Sequence, residues 1–265
     1  MAQAAAPEVR ELLPVSTWGR RSHLAVRLAF PATETRTPFC ALYLHVFASA
    51  QGGEKAEFFR AHALAAGWPF CSFDFQGHGE SGGELRELTF SRNLDDVARV
   101  HDFLIERGLG EVVLIGSSMG GAAALWHAAR RPERVLAGMH ISPAIGMRRA
   151  LERWAGPAGL ERWRRDGTIR YQQGAVETLL DWDLMDDLRR FDVEVLAAGC
   201  RTPTLLLQGK RDSSVDYRDV ARFVARSPGG FLKLRLYEDG DHRLVDRKGE
   251  LWNEMVAFLG ERRLI

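Results

Sequence analysis

A chain of 265 residues, 46% hydrophobic and 27% charged, is long and apolar enough to bury the core of one large α/β domain or two small ones. Its formal net charge of +1 argues against general binding to nucleic acid or a membrane surface, and no run of about 18 apolar residues offers a membrane span. The first residues, MAQAAAPEVRELLPV, lack a basic stretch followed by a long apolar one, so no secretory signal is expected.

Taken in order, residues 12–30 read as two strands forming a hairpin that turns near residues 19–22. Residues 38–47 (PFCALYLHVF) are apolar almost throughout and form a central strand. Residues 52–66 are helical, with Gly67 as the stop. The next strand, 68–75, runs into QGHGESGG, too glycine-rich for the interior of an element. Between 89 and 107, Phe90, Leu94, Val97 and Leu104 recur at helical spacing, with His101 on the same stripe. Cys40, Cys71 and Cys200 are an odd number without metal-ligand spacing, two of them inside these strands. That fits buried free thiols in a reducing cytoplasm.

The most informative stretch is 111–130, EVVLIGSSMGGAAALWHAAR. A β-branched apolar run breaks at G-S-S-M-G and resumes as an alanine-rich helix. Strand, sharp turn and helix in that order are the setting in which G-x-S-x-G presents a nucleophile. So tight a turn drives its central residue towards positive φ, and it brings the residues two positions either side too close for side chains. Gly116 and Gly120 meet that demand, and Gly121 lets the helix approach. Ser118 is then held above the N-terminus of a helix, where free N–H groups favour a developing anion.

Residues 134–142 are another strand, and strands alternating with helices predict a mainly parallel sheet covered on both faces. From 143 to 199 no strand is evident, and Trp, Arg and Leu abound. The pattern resumes with a strand at 203–208, a helix at 216–226, a strand at 231–237 and a last helix whose Leu251, Met255, Phe258 and Leu259 share a face. One α/β core, 1–145 with 188–265, interrupted by a helical insertion at 146–187, is the simplest organisation. The insertion would sit over the carboxyl end of the sheet, where ligands bind in such folds.

A serine hydroxyl needs a base to take its proton, and the base needs a carboxylate to orient it. After Ser118 each later strand should end in one of these partners. Asp212 follows the strand 203–208, and His242, the only histidine after His140, lies in the turn after 231–237. Asp241 would have to fold back on its own turn, and Asp216 suits the start of the following helix. His101, His127 and His140 lie on helices or a strand as packing residues. No His, Cys and carboxylate cluster has metal-ligand spacing.

These stretches, HVFASAQGGEKAEFF, DFQGHGESGG, GSSMGG and the pair GKRDSSV with GDHRL, resemble the α/β-hydrolase superfamily. The likeness is strongest to the branch of serine aminopeptidase-like hydrolases, monoacylglycerol lipases and acyl-protein thioesterases, and it covers the chain from about His45 to the last helix. The resemblance implies Ser118 as nucleophile, Asp212 as acid and His242 as base. It further implies the backbone N–H groups of Phe47 and Met119 as oxyanion donors, no cofactor, a structural role for His78 and a supporting one for His45. One position departs from the family pattern: the usual His-Gly is here His45-Val46, and a β-branched residue restricts the backbone where glycine does not.

From 147 to 173 seven arginines face three acidic residues, which reads either as a lid attracting anionic acyl substrates or as a solvated helix face over packed Trp154, Trp163 and Trp182; the second weighs more. The expectation is an α/β-hydrolase fold with a helical cap, cleaving a small-molecule carboxylic ester or thioester through an acyl-enzyme. Such a protein would be cytoplasmic, a monomer or homodimer, with no nucleic-acid partner and no stable membrane insertion. An aminopeptidase, an amidase or a C–C bond hydrolase would use the same triad, and a non-catalytic ligand-binding protein could keep the same fold.

Overall fold

The computed structural model describes residues 7–17, 20–32, 37–173 and 176–265. Strands β1 (Glu8–Thr17) and β2 (Arg20–Ala29) pair antiparallel, Glu8 opposite Ala29 and Thr17 opposite Arg20. The first strand thus starts earlier than its apolar residues suggest. Residues 20–22 already belong to β2, and positions 18 and 19 of the expected turn lie outside the described residues. Then follow β3 (Cys40–Leu44), α1 (Glu54–Ala65), β4 (Phe70–Phe73), α2 (Phe90–Glu106), β5 (Val112–Ser117), α3 (Met119–Arg130) and β6 (Val135–Ile141).

After an insertion, β9 (Thr204–Gly209), α7 (Tyr217–Arg226), β10 (Leu232–Tyr237) and α8 (Lys248–Glu261) complete the core. The eight-stranded sheet has the order β1-β2-β4-β3-β5-β6-β9-β10. From β4 to β10 neighbouring strands are parallel, and β2 meets β4 antiparallel. The sequence reason is visible in β3. Cys40, Leu42 and Leu44 enter one core with α2 and α3, while Ala41 and Tyr43 enter the other with α1 and α8. A strand buried on both faces has no polar side to show, hence its unbroken apolar run. The four residues expected on the inner face of the last helix, Leu251, Met255, Phe258 and Leu259, are buried there.

The insertion departs from the all-helical expectation. It holds α4 (Met147–Asp166), then a hairpin of β7 (Thr168–Gln173) and β8 (Val176–Asp181), then α5 (Asp183–Asp187); α6 (Val193–Gly199) leads from it back to the sheet. Ile169 and Tyr171 alternate with exposed Arg170 and Gln172, as buried Leu180 does with exposed Leu179. That period of two is a strand signal, too short to stand out among the arginines. Within α4 the chain breaks at Gly156, whose φ is +64°, just before Pro157; the proline ring excludes ordinary helical backbone from the residue before it. All seven arginines of this stretch are exposed, while Trp163 is fully buried edge-on to Trp182. Trp154, in contrast, remains 37% exposed. Arg86 pairs with Asp181 at 3.0 Å, and both the amide and hydroxyl of Ser91 donate to Asp187 at 2.7 and 2.6 Å, anchoring the insertion over the carboxyl end of the sheet.

Candidate active site

Ser118 sits between β5 and α3 with φ +50° and ψ −114°. Backbone in this region costs a non-glycine residue on the order of 1–3 kcal/mol. Glycines make the bend possible. A Cβ on Gly116 would lie 2.7 Å from the Gly120 carbonyl oxygen, and one on Gly120 would lie 2.3 Å from that of Leu44. The second approach matters twice, because it presses the start of α3 against the end of β3 and so brings the 45–48 loop to the serine. Ser118 also donates its own amide to Ile141 at 2.9 Å and accepts from Ala122 and Ala144 at 3.0 Å, which fixes the strained residue from three sides.

Asp212 and His242 reach the same place. Nε2 of His242 lies 3.0 Å from Ser118 Oγ, and its Nδ1 lies 2.8 Å from Asp212 Oδ2. With a carboxylate as partner, Nδ1 carries the proton and Nε2 is free to accept from the serine. Asp212 is fully enclosed, and its two oxygens also accept from the amides of Ser214 and Val215 and from Gln208 Nε2, each at 2.8 Å. Burial pushes this carboxyl up, but the bond and charge of His242, then the Val215 amide and Gln208, outweigh it and hold it below the usual carboxylate range. The turn bearing His242 is brought in by Gly209 at the end of β9, where a Cβ would come within 2.3 Å of the Gly240 carbonyl. Asp241 accepts from the Arg243 and Leu244 amides in its own turn, and Asp216 caps α7 through the Arg218 amide. Neither reaches His242.

Among the described residues, no backbone carbonyl accepts from the amide of Phe47, in the loop after β3, or of Met119, at the start of α3. Val46 does not strain the loop, because the positive φ falls at Ala48, at +52°. His45 shapes this segment from below. It donates from Nδ1 to the Val46 carbonyl at 2.7 Å and accepts the Phe75 amide on Nε2 at 3.1 Å. Burial, reinforced by neighbouring His78, pushes its imidazole down to about 3, so the ring is neutral. His78 packs edge-on against His45 and Phe47, with ring centroids 5.0 and 6.0 Å away, and donates towards the Gln76 carbonyl. Above the loop, Tyr171 of β7 stands edge-on to Phe47 at 5.5 Å, and Trp154 of α4 lies 4.8 Å from Tyr171. A hollow of about 250 Å³ opens beside the first turn of α3, walled by Phe90, Ala122, Trp126, Ile145 and Phe191, and is lined by none of Ser118, Asp212 and His242.

Away from the site, His101 donates from Nε2 to the Gly110 carbonyl at 2.8 Å and receives His127 on Nδ1 at 2.7 Å, both rings buried between α2 and α3. His140 is likewise enclosed. The three cysteines are free and buried. Residue-by-residue reading overlooked two side chains at the site, Gln208 and Lys55. A glutamine closing an otherwise apolar strand was the available signal for the first; Lys55 had none.

The family described as serine aminopeptidase, S33, matches residues 53–170. The palmitoyl-protein thioesterase ABHD10 of Rattus norvegicus, named mitochondrial, is 33% identical over 220 residues, spanning 77% of this chain and 69% of that one. A solved structure from Agrobacterium vitis S4 superposes with a TM-score of 0.83 at 26% identity, over 95% of this chain and 99% of the other. Est1E from Butyrivibrio proteoclasticus, solved with ferulic acid bound, shares the fold at a TM-score of 0.78 and 19% identity, over 94% and 99%.

Proposed function

The chain belongs to the α/β-hydrolase superfamily, and from that premise we propose that it is a serine hydrolase cleaving a carboxylic ester or thioester of a small acyl substrate through an acyl-enzyme. The unbroken run from Ser118 Oγ through the His242 ring to Asp212, 3.0 and 2.8 Å, carries this reading. His242 Nε2 takes the Ser118 proton as Oγ adds to the acyl carbonyl, and the oxyanion faces the Phe47 and Met119 amides. The imidazolium, held in orientation by Asp212, gives its proton to the departing alkoxide or thiolate. Water then enters, loses a proton to the same nitrogen and releases the acid and free Ser118.

The rings of Phe47, Tyr171 and Trp154, packed on one another where the insertion meets the loop after β3, offer an apolar surface suited to a thioester or ester, with residues 146–187 acting as a cap. An aminopeptidase would need a free carboxylate for the substrate amine; of the cap's Glu152, Glu161, Asp181 and Asp183, Glu152 and Asp181 are engaged by Arg148 and Arg86 at 3.0 Å, which leaves Glu161 and Asp183 as the candidates for that reading. No helix among the described residues is long and apolar enough to cross a membrane.

The test is fluorophosphonate labelling of the wild type beside Ser118→Ala, followed by paired p-nitrophenyl ester and thioester series of rising chain length. Labelling and turnover should both vanish in the variant, a loss of about 10⁴-fold or more against the wild type. A Ser118→Ala protein that still labels or turns over at the wild-type rate sinks the proposal.

A further inference from the structure

Lys55, in the first turn of α1, is only 9% exposed, and lysines are rarely buried without an ionic partner. Its ammonium instead donates to Ser117 Oγ at 2.7 Å and to the Arg243 carbonyl at 3.0 Å. These acceptors flank the reacting pair in sequence: Ser117 precedes the nucleophile, and Arg243 follows the base. They stand 62 and 188 residues from Lys55 along the chain.

Topology explains why such a link is needed. Ser118 leaves β5, whereas His242 follows β10, three strand positions away across β6 and β9. Strands lie roughly 4.8 Å apart, so the histidine turn must reach back about 14 Å over the end of the sheet. Its near end is gripped by Gly209 against Gly240, and it is closed on itself by Asp241. On the β5 side, besides Ser118 itself and the buried Leu244, the turn is gripped by the Lys55 ammonium. That position is costly for a cation: burial first, and then the charge of Arg243, push Lys55 down to about 8, against the opposite pull of Asp241 and Glu54. A neutral residue of the same length would avoid the cost, so the two donated bonds are where the charge is useful.

We propose that Lys55 is a positioning residue of the triad, tying the end of β5 to the turn that carries His242 and so keeping the imidazole in line with Ser118 Oγ. The inference rests on the Ser-His-Asp reading above. Lys55 touches no reacting atom; removing it leaves all three triad members present but loosens the distance between two of them. Misplacement on this scale lowers the rate of the chemical step and spares binding.

The experiment compares Lys55→Met, Ser117→Ala, the double variant and Lys55→Arg with the wild type. It reads kcat and KM on p-nitrophenyl butyrate, the second-order rate of fluorophosphonate labelling, and thermal midpoints, with all kinetics well below the lowest midpoint. Lys55→Met should lose about 10- to 100-fold in kcat and in labelling rate with KM within twofold. Ser117→Ala, which removes one of two acceptors, should lose about three- to tenfold, and the double variant no more than Lys55→Met alone. Lys55→Arg, which keeps the charge, should recover part of the lost kcat. A Lys55→Met protein with wild-type kcat, a change confined to KM, or additive losses in the double variant would overturn the assignment. Should Lys55→Met fail to fold, Ser117→Ala decides: wild-type kcat there overturns it equally. Ser118→Ala run in parallel separates the two readings, since residual turnover there removes the triad itself, whereas its silence beside an unaffected Lys55→Met removes only the positioning role.

Discussion

The loops at the ends of β5, β9 and β10 and the insertion at 146–187 are held together by different means. In the loops, missing side chains and buried hydrogen bonds decide the geometry. Gly120 and Gly209 let backbones approach to distances no Cβ would allow, and Asp212 is fixed by four donors. In the insertion, packing decides it. Trp163, Leu180 and Leu184 join the core shared with α2 and α3, and the outer face is arginine and solvent. One region is specified atom by atom and should fail through chemistry; the other is specified by volume and should fail through stability.

Four measurements press on that contrast. The largest effect belongs to the loops: Asp212→Asn should keep the fold yet cost about 10⁴-fold in kcat, because an amide partner favours the wrong histidine tautomer. Ester turnover within tenfold of wild type would remove Asp212 from its role. Next, Trp163→Ala should lower stability by about 3–5 kcal/mol, read by urea titration. A loss below 1 kcal/mol would mean that the insertion is not part of the core.

The third probe is pH. His45, His127 and His140 are each pushed down to about 3, chiefly by burial, and so stay neutral in the fold while their unfolded counterparts protonate near 6.5. Between these values the unfolded chain binds more protons, so their contribution is complete above about pH 6.5 and drains away as pH falls. Asp96, pushed up to about 7 by burial, binds its proton in the fold and offsets one of the three. Stability should therefore fall as pH drops below about 6; thermal midpoints unchanged from pH 7 to 5 would contradict it. Smallest of all, Arg170→Ala removes an exposed pair with Glu177 on the hairpin and should change stability by about 0.5 kcal/mol or less. A larger shift would show that the outer face is more than solvated charge.

The same contrast governs what the sequence could disclose. The elbow was legible because its steric demand falls on residues adjacent in sequence, glycines two positions either side of Ser118. Asp212 and His242 were legible because each follows its strand directly. The hairpin β7–β8 was hidden, since its alternation lasts only a few residues and charged side chains fill the gaps. Lys55 and Gln208 were illegible for another reason. Their partners come together only through strand order, which local patterns do not record. Val46 shows the converse: the left-handed backbone of that loop falls at Ala48, so the β-branched residue is not asked to adopt it.

The three cysteines offer a clock. Burial pushes the Cys40 thiol up to about 12 and Cys200 up to about 11, and raises Cys71 well above its ordinary value. Thiolate is the reactive form, so in the closed molecule thiol reagents find nothing to attack at neutral pH. Cys40 and Cys71 lie in the neighbouring strands β3 and β4 at the middle of the sheet, while Cys200 follows α6 at the edge of the insertion. Alkylation rates at the three sites would therefore time two events in one sample: the opening of the sheet and the loosening of the segment that leads back into it.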